Sequence, residues 1–155
     1  MVHQNHYTMA NPMPSASLIH LISEETKQLK GAPFTIRSKN TGVDFTYKVS
    51  QSIFNDVRYF HVKVEKMIDG IRDFYYLGYF RSDKGQLFKK GGVALDSPSA
   101  LAIAWVLRMA AAKNTDALEQ GVDAFNFGSC CVCGRKLTDA TSIELGIGPV
   151  CRTNR

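Results

Sequence analysis

All four cysteines of the 155-residue chain lie between Cys130 and Cys151. Thiols serving as small core hydrophobes would be scattered, whereas these are collected in one segment. Cys130 and Cys133 form a Cys-x-x-Cys pair followed at once by Gly134. That spacing lets a tight turn aim two thiolates at one ion, and the glycine lets the backbone turn beneath the sulfurs without a Cβ clash. Gly148-Pro149 sets a second bend just before Cys151, which aims a third thiolate at the same point. The segment therefore reads as a structural zinc site, with Zn2+ as the expected cofactor. A closed zinc site takes four ligands. Cys131 would complete an all-cysteine set, although adjacent residues on an extended backbone project in divergent directions. His61, His20, Asn126, Asp123 or water are the other candidates for that position. A redox pair, a disulfide and unreactive thiols are the competing readings. A redox Cys-x-x-Cys would usually open a helix within a βαβ pattern, and no such pattern is visible.

The same stretch carries a resemblance. Cys130, Cys133, Gly134, Arg135, Leu137 and Thr138 read as Cys-x-x-Cys-Gly-Arg-x-Leu-Thr. Ser142 follows, and Gly146, Ile147, Gly148, Pro149 and Cys151 read as Gly-Ile-Gly-Pro-x-Cys. In these residues the chain resembles the C-terminal signature of an uncharacterised family of short phage and prophage proteins. The likeness is looser upstream, around residues 34–39, 45–49 and 105–107. Many members of that family carry a His just before the first Cys, where this chain has Asn126. The resemblance implies a metal knuckle and a phage genome, hence a bacterial host cytosol, and it implies no activity.

Length and composition set the frame around that segment. A chain of 155 residues is expected to form one domain with a core of ordinary size. Hydrophobic content of 45% with 21% charged residues fits a soluble globular protein. Residues 1–16 are polar, with Pro12 and Pro14 and no apolar run, so no secretory signal is read there. The longest apolar run, 101–107, is far short of the ~20 residues a membrane span requires. Cysteines in metal spacing fit a reducing cytoplasm. The net charge of +5 is unevenly placed: residues 30–90 hold 12 Lys and Arg against 6 Asp and Glu, and residues 114–155 hold 4 against 5. The basic excess lies on the central region and not on residues 114–155.

Along the chain, residues 1–16 read as a disordered tail, 17–127 as an α+β domain and 128–155 as the zinc-knuckle segment. A short helix is expected from Ser17, stopped by Gly31-Ala32-Pro33. Alternation then takes over. Phe34 to Ser38 and Phe45 to Val49 form a hairpin, a third strand runs near residues 57–67, a fourth over 74–80, and Leu87-Phe88 form a short fifth. Ser97-Pro98 opens a helix over 99–113 that is apolar nearly all round, as a core helix would be. Val122 to Phe127 could lead into the knuckle as a strand. The expected fold is α+β: an antiparallel sheet of four to five strands packed by a core helix, with a C-terminal zinc-knuckle extension.

No phosphate loop, nucleophile elbow or His-Glu-x-x-His helix occurs, and the chain reads as a non-enzyme. The first functional reading is nucleic-acid binding, to DNA or RNA. Arg37, Lys39, Lys48, Arg58 and Lys63 would hold phosphates on the polar face of the sheet, and Tyr59 would stack on a base. The second is a module that docks on a host or phage protein, with Arg135, Lys136 and Arg152 as rim contacts.

Overall fold

From Phe34 to Phe80 apolar residues recur at every second position, which puts them on one face of a pleated strand. The structure, a computed structural model, describes residues 10–23, 26, 29–90 and 94–153. It resolves that alternation into a single sheet of seven strands: β1 (Asn11–Met13), β2 (Phe34–Ser38), β3 (Asp44–Phe54), β4 (Val57–Ile68), β5 (Ile71–Arg81), β6 (Gln86–Lys89) and β7 (Val122–Asn126). Every pairing is antiparallel, and the spatial order is β1-β7-β2-β3-β4-β5-β6. Strands β2 to β6 form a meander. Its long hairpins close through two-residue turns with positive φ at both positions, Asn55 (51°) with Asp56 (63°) and Asp69 (53°) with Gly70 (77°). Such turns match the twist of the flanking strands, and Asn, Asp and Gly are the residues that tolerate that backbone.

Phe34, Ile36, Tyr47, Val49, Phe60, Val62, Val64 and Phe80 are buried on the inner face of the sheet. Helix α1 (Pro98–Ala111) packs there with α2 (Thr115–Gly121) and a 3-10 helix over Ser15–Leu21. The start of α1 is specified locally. The Ser97 hydroxyl accepts from the Ala100 N–H, and Pro98 supplies the fixed φ of the first turn. Its buried side includes Ile103, Val106, Leu107 and Ala110. The Tyr47 hydroxyl crosses from sheet to helix and donates to the Ser99 carbonyl at 2.6 Å. Burial raises the pKa of this phenol well above the ordinary tyrosine value, so it stays a donor.

The α+β class stands, but the sheet has seven strands where four to five were expected. Beyond the meander, β7, the strand expected to lead into the knuckle, joins the sheet, and β1 lies beside it at the end. β7 sits between β1 and β2, with Ala124 opposite both Met13 and Ile36. Asn11–Met13 falls within residues 1–16, expected as a disordered tail, and is a strand instead. An Asn-Pro-Met tripeptide has no strand signature of its own, and Pro12 is tolerated because the strand is at the edge. Residues 1–9 of that reading lie outside the described residues. The helix expected from Ser17 begins at Ser15 and is 3-10 in its described part, and the Ser15 hydroxyl donates to the Val122 carbonyl. Packing does not stop at Phe127. Cys130, Cys131, Val132, Leu137 and Ile147 belong to the same buried cluster as the sheet and α1.

Removing the bond between sheet and helix gives a direct check on this packing. Tyr47→Phe should keep the fold and lower unfolding free energy in urea by about 0.5–1.5 kcal/mol, the net worth of one intramolecular hydrogen bond.

Candidate metal centre and open sheet face

The cysteine segment is a hairpin laid on in line with β7. Gly128 (φ 85°) redirects the chain after Asn126, and the Leu137 N–H donates to the Gly128 carbonyl at 2.8 Å. Cys130 pairs its N–H with the Arg135 carbonyl at 2.8 Å, and the Gly134 N–H returns to the Cys130 carbonyl at 2.9 Å. Gly134 has φ 80°, which explains the glycine directly after the Cys-x-x-Cys pair. Downstream, Asp139 caps α3 (Ala140–Leu145), its carboxylate accepting from the Ser142 N–H at 3.0 Å. Gly146 ends α3 in the left-handed conformation at φ 73°. Pro149 then starts the short α4 (Pro149–Thr153), which presents Cys151.

These turns bring three thiols to one place. The Sγ atoms of Cys130, Cys133 and Cys151 all lie within 4.8 Å of one another, so they can hold a metal ion. A tetrahedral zinc with Zn–S bonds of ~2.3 Å sets its sulfurs ~3.8 Å apart, which this spacing accommodates. The backbone favours charge on one of them. Burial would raise the pKa of Cys130, but the backbone N–H groups of Cys133, Gly148 and Val132 outweigh it and the net shift is downward. The Cys133 N–H lies 3.5 Å from that sulfur. Cys151 is pushed up to about 12, first by burial and then by the neighbouring Cys130 thiolate. A cation between them relieves that repulsion.

The fourth candidate ligands fall elsewhere. Cys131 is not in the group: it is buried in the core, its N–H donating to the Gly146 carbonyl at 3.0 Å. Burial raises its pKa far above the usual thiol range, which keeps it neutral. The divergence of adjacent side chains decides this, since Cys130 already faces the site. His61 lies on β4, with Nε2 2.7 Å from the Ser52 hydroxyl and Nδ1 2.9 Å from the Tyr76 hydroxyl. His20 belongs to the last turn of the 3-10 helix, and Asp123 pairs with Lys39 at 3.7 Å. Asn126 is fully buried and acts as a brace. Its Oδ1 accepts from the Gly128 N–H (2.8 Å) and from Asn11 Nδ2 (3.3 Å), and its Nδ2 donates to the Ile143 carbonyl at 2.8 Å. Arg152, read as a rim contact, instead clamps the segment from within, with Nη1 donating to Ser142 Oγ and to the Ile147 carbonyl.

The other candidate site is the face of the sheet opposite the buried one. Lys48 and Lys63 are opposed in register, and Tyr76 continues the row on β5. Next along are Ser50, His61 and Tyr79, then Ser52, Tyr59 and Arg81. Cations lie over rings: Lys48 Nζ is 4.3 Å from the Phe74 centroid, Arg37 4.8 Å from Phe125 and Arg81 5.5 Å from Tyr59. Tyr79 stacks on Phe88 and meets Tyr59 edge-on, both at 5.4 Å. Arg37, Arg72 and Arg81 are paired with Asp44, Glu65 and Asp83, whereas Lys48 and Lys63 have no ion pair among the described residues. Lys39 is diverted to the end of α2, where it donates to the Glu119 carbonyl at 2.6 Å. Arg58 does not belong to this face. It shares the parity of Phe60, stacks on that ring at 4.8 Å and reaches Gln51 and the carbonyls of Ile22 and Thr26.

A family model described as a family of unknown function (DUF6011) matches residues 124–155, the end of β7 and the whole cysteine segment. No curated protein and no solved structure matches the chain. Among the described residues no helix is long and apolar enough to cross a membrane.

Metal analysis of protein purified reduced and without chelator should give about one zinc per chain, held by three thiolates. Serine at position 130, 133 or 151 should abolish stoichiometric binding. Cys131→Ser should keep the metal and lose about 1–3 kcal/mol of stability, because it buries a hydroxyl in an apolar setting. Cys151 must lose a proton it holds up to about 12. Binding therefore releases protons, and zinc affinity measured by competition should rise with pH and fall as the solution is acidified.

Proposed function

We propose that the protein binds single-stranded DNA or RNA on the open face of its sheet, and that a zinc knuckle fastens the end of the sheet to the core. The observation that carries this reading is the alternation of cations and rings across β3, β4 and β5, with Lys48 and Lys63 in the middle and without an ion pair among the described residues. Lysines beside half-exposed aromatic rings supply what a single strand needs, phosphate neutralisation and planar surfaces for bases. Within residues 30–90 these three strands hold six Lys and Arg against three Asp and Glu. The metal group holds thiols alone, without a His or Glu base among the described residues, and we read the protein as a binder and not an enzyme. The phage setting implied by the sequence resemblance, and with it the bacterial host cytosol, belongs to this proposal as well.

One observation favours the second reading, docking on a host or phage protein. The hairpin tips are apolar: Ile53 and Phe54 are 62% and 66% exposed beside the β3–β4 turn, and Met67, Ile68 and Ile71 are exposed beside the β4–β5 turn. Such side chains fit a protein partner better than a phosphate backbone.

Salt separates the two. Binding to a fluorescent oligonucleotide should weaken steeply as salt rises, and Lys48→Glu with Lys63→Glu should reduce the slope of log affinity against log salt by ~0.7 per lost contact on a single strand. Thermal stability of that double variant should fall only slightly, since Lys63 is exposed and half-buried Lys48 gives up one ring contact, with Phe74. Tyr59→Ala should weaken single-strand binding by about 1–3 kcal/mol. No binding by the wild type at low salt would discard this reading in favour of the hairpin tips.

A further inference from the structure

The three thiols are not equally enclosed. Cys130 is buried, but Cys133 and Cys151 are half-buried and form part of the wall of a cavity of about 190 Å3. Arg135, Lys136, Thr138 and Asp139 stand in the same wall. Three sulfurs fill three corners of a tetrahedron, and the fourth corner needs a donor. Among the described residues no further His, Cys, Asp or Glu joins the group. Asp139 is the one carboxylate in the cavity wall, and it is engaged in capping α3. A zinc with three thiolates has one net negative charge, which would repel an incoming anion. Arg135 and Lys136, both exposed and both in the cavity wall, offset that charge.

We propose that the fourth coordination position faces this cavity and is taken by water or by a small anionic donor that exchanges with it, and not by a side chain of this chain. The inference rests on the metal reading above. It adds to it an open position, a feature of sites that accept a ligand and not of closed structural ones. The centre would then fasten the fold through three sulfurs and at the same time capture an anion through the cavity.

Cobalt makes the position visible, because its ligand-field bands report the donor set while its sulfur charge-transfer band reports the thiolates. The full-length reduced chain is loaded with Co2+ and titrated with azide. The expected result is a change in the ligand-field bands that saturates, with the charge-transfer band unaltered. Arg135→Ala with Lys136→Ala should raise the azide concentration at half-saturation severalfold. A variant with His3→Ala and His6→Ala should give the wild-type spectrum and the wild-type response. A spectrum that azide does not move would overturn the inference, as would ligand-field bands changed by the histidine substitutions. Failure of the chain to bind Co2+ at all would remove the metal reading itself, an outcome distinct from a bound but unresponsive cobalt. The wild-type titration decides alone should a variant fail to fold.

Discussion

A single buried amide links the first strand to the cysteine segment and α3, more than a hundred residues away in sequence. Asn126 ends β7, and its side chain bonds to Asn11 on β1, to the turn at Gly128 and to the Ile143 carbonyl of α3. A buried amide with any of these bonds missing would cost about 1–3 kcal/mol, so the three partners are fixed together. Once they are fixed, the cysteine hairpin has little freedom. The Lys30 N–H donates to the Val132 carbonyl at 2.8 Å, continuing the β2–β7 edge into the hairpin. Cys131 turns inward and Cys130 therefore turns to the site. Gly146 is the other fixed point: a Cβ there would fall 2.1 Å from the Met13 sulfur, so β1 and the end of α3 pack as closely as glycine permits.

Parity along the strands was legible from the sequence, and most of the open face follows from it. Lys48, Lys63 and Tyr59 alternate with Tyr47, Val62 and Phe60, and they lie opposite the core as that alternation requires. Arg58 was grouped with them by charge, against its own parity, and the structure puts it with Phe60 on the inner side. Lys39 lies just past β2, where alternation no longer governs, and it turns to the carbonyl end of α2. β1 was not legible because its only reason to be a strand is a partner more than a hundred residues away. The brace at Asn126 was not legible either. An isolated Asn after a short alternating run is not distinguishable in sequence from a turn residue, and only the pairing of β1 and β7 buries it.

Three thiols of the metal centre were legible because ligand spacing and left-handed glycines are local features. Gly134 and Gly146 both adopt positive φ, and Gly148 precedes the helix start at Pro149. The fourth ligand depends on which way each neighbouring side chain is turned by packing, and that is not a local property. The cysteine cluster and the open face also differ in charge. A divalent ion on the three thiols would nearly balance their charge, while Lys48 and Lys63, without an ion pair among the described residues, stand on the central strands of the sheet.

X-ray absorption at the zinc edge of the purified protein tests the central claim most directly, because it counts the sulfurs around the ion. The structure predicts about three sulfur scatterers at ~2.3 Å and one lighter donor in the first shell. Four sulfurs would mean that Cys131 leaves the core to ligate, and a protein without zinc would contradict the metal centre altogether.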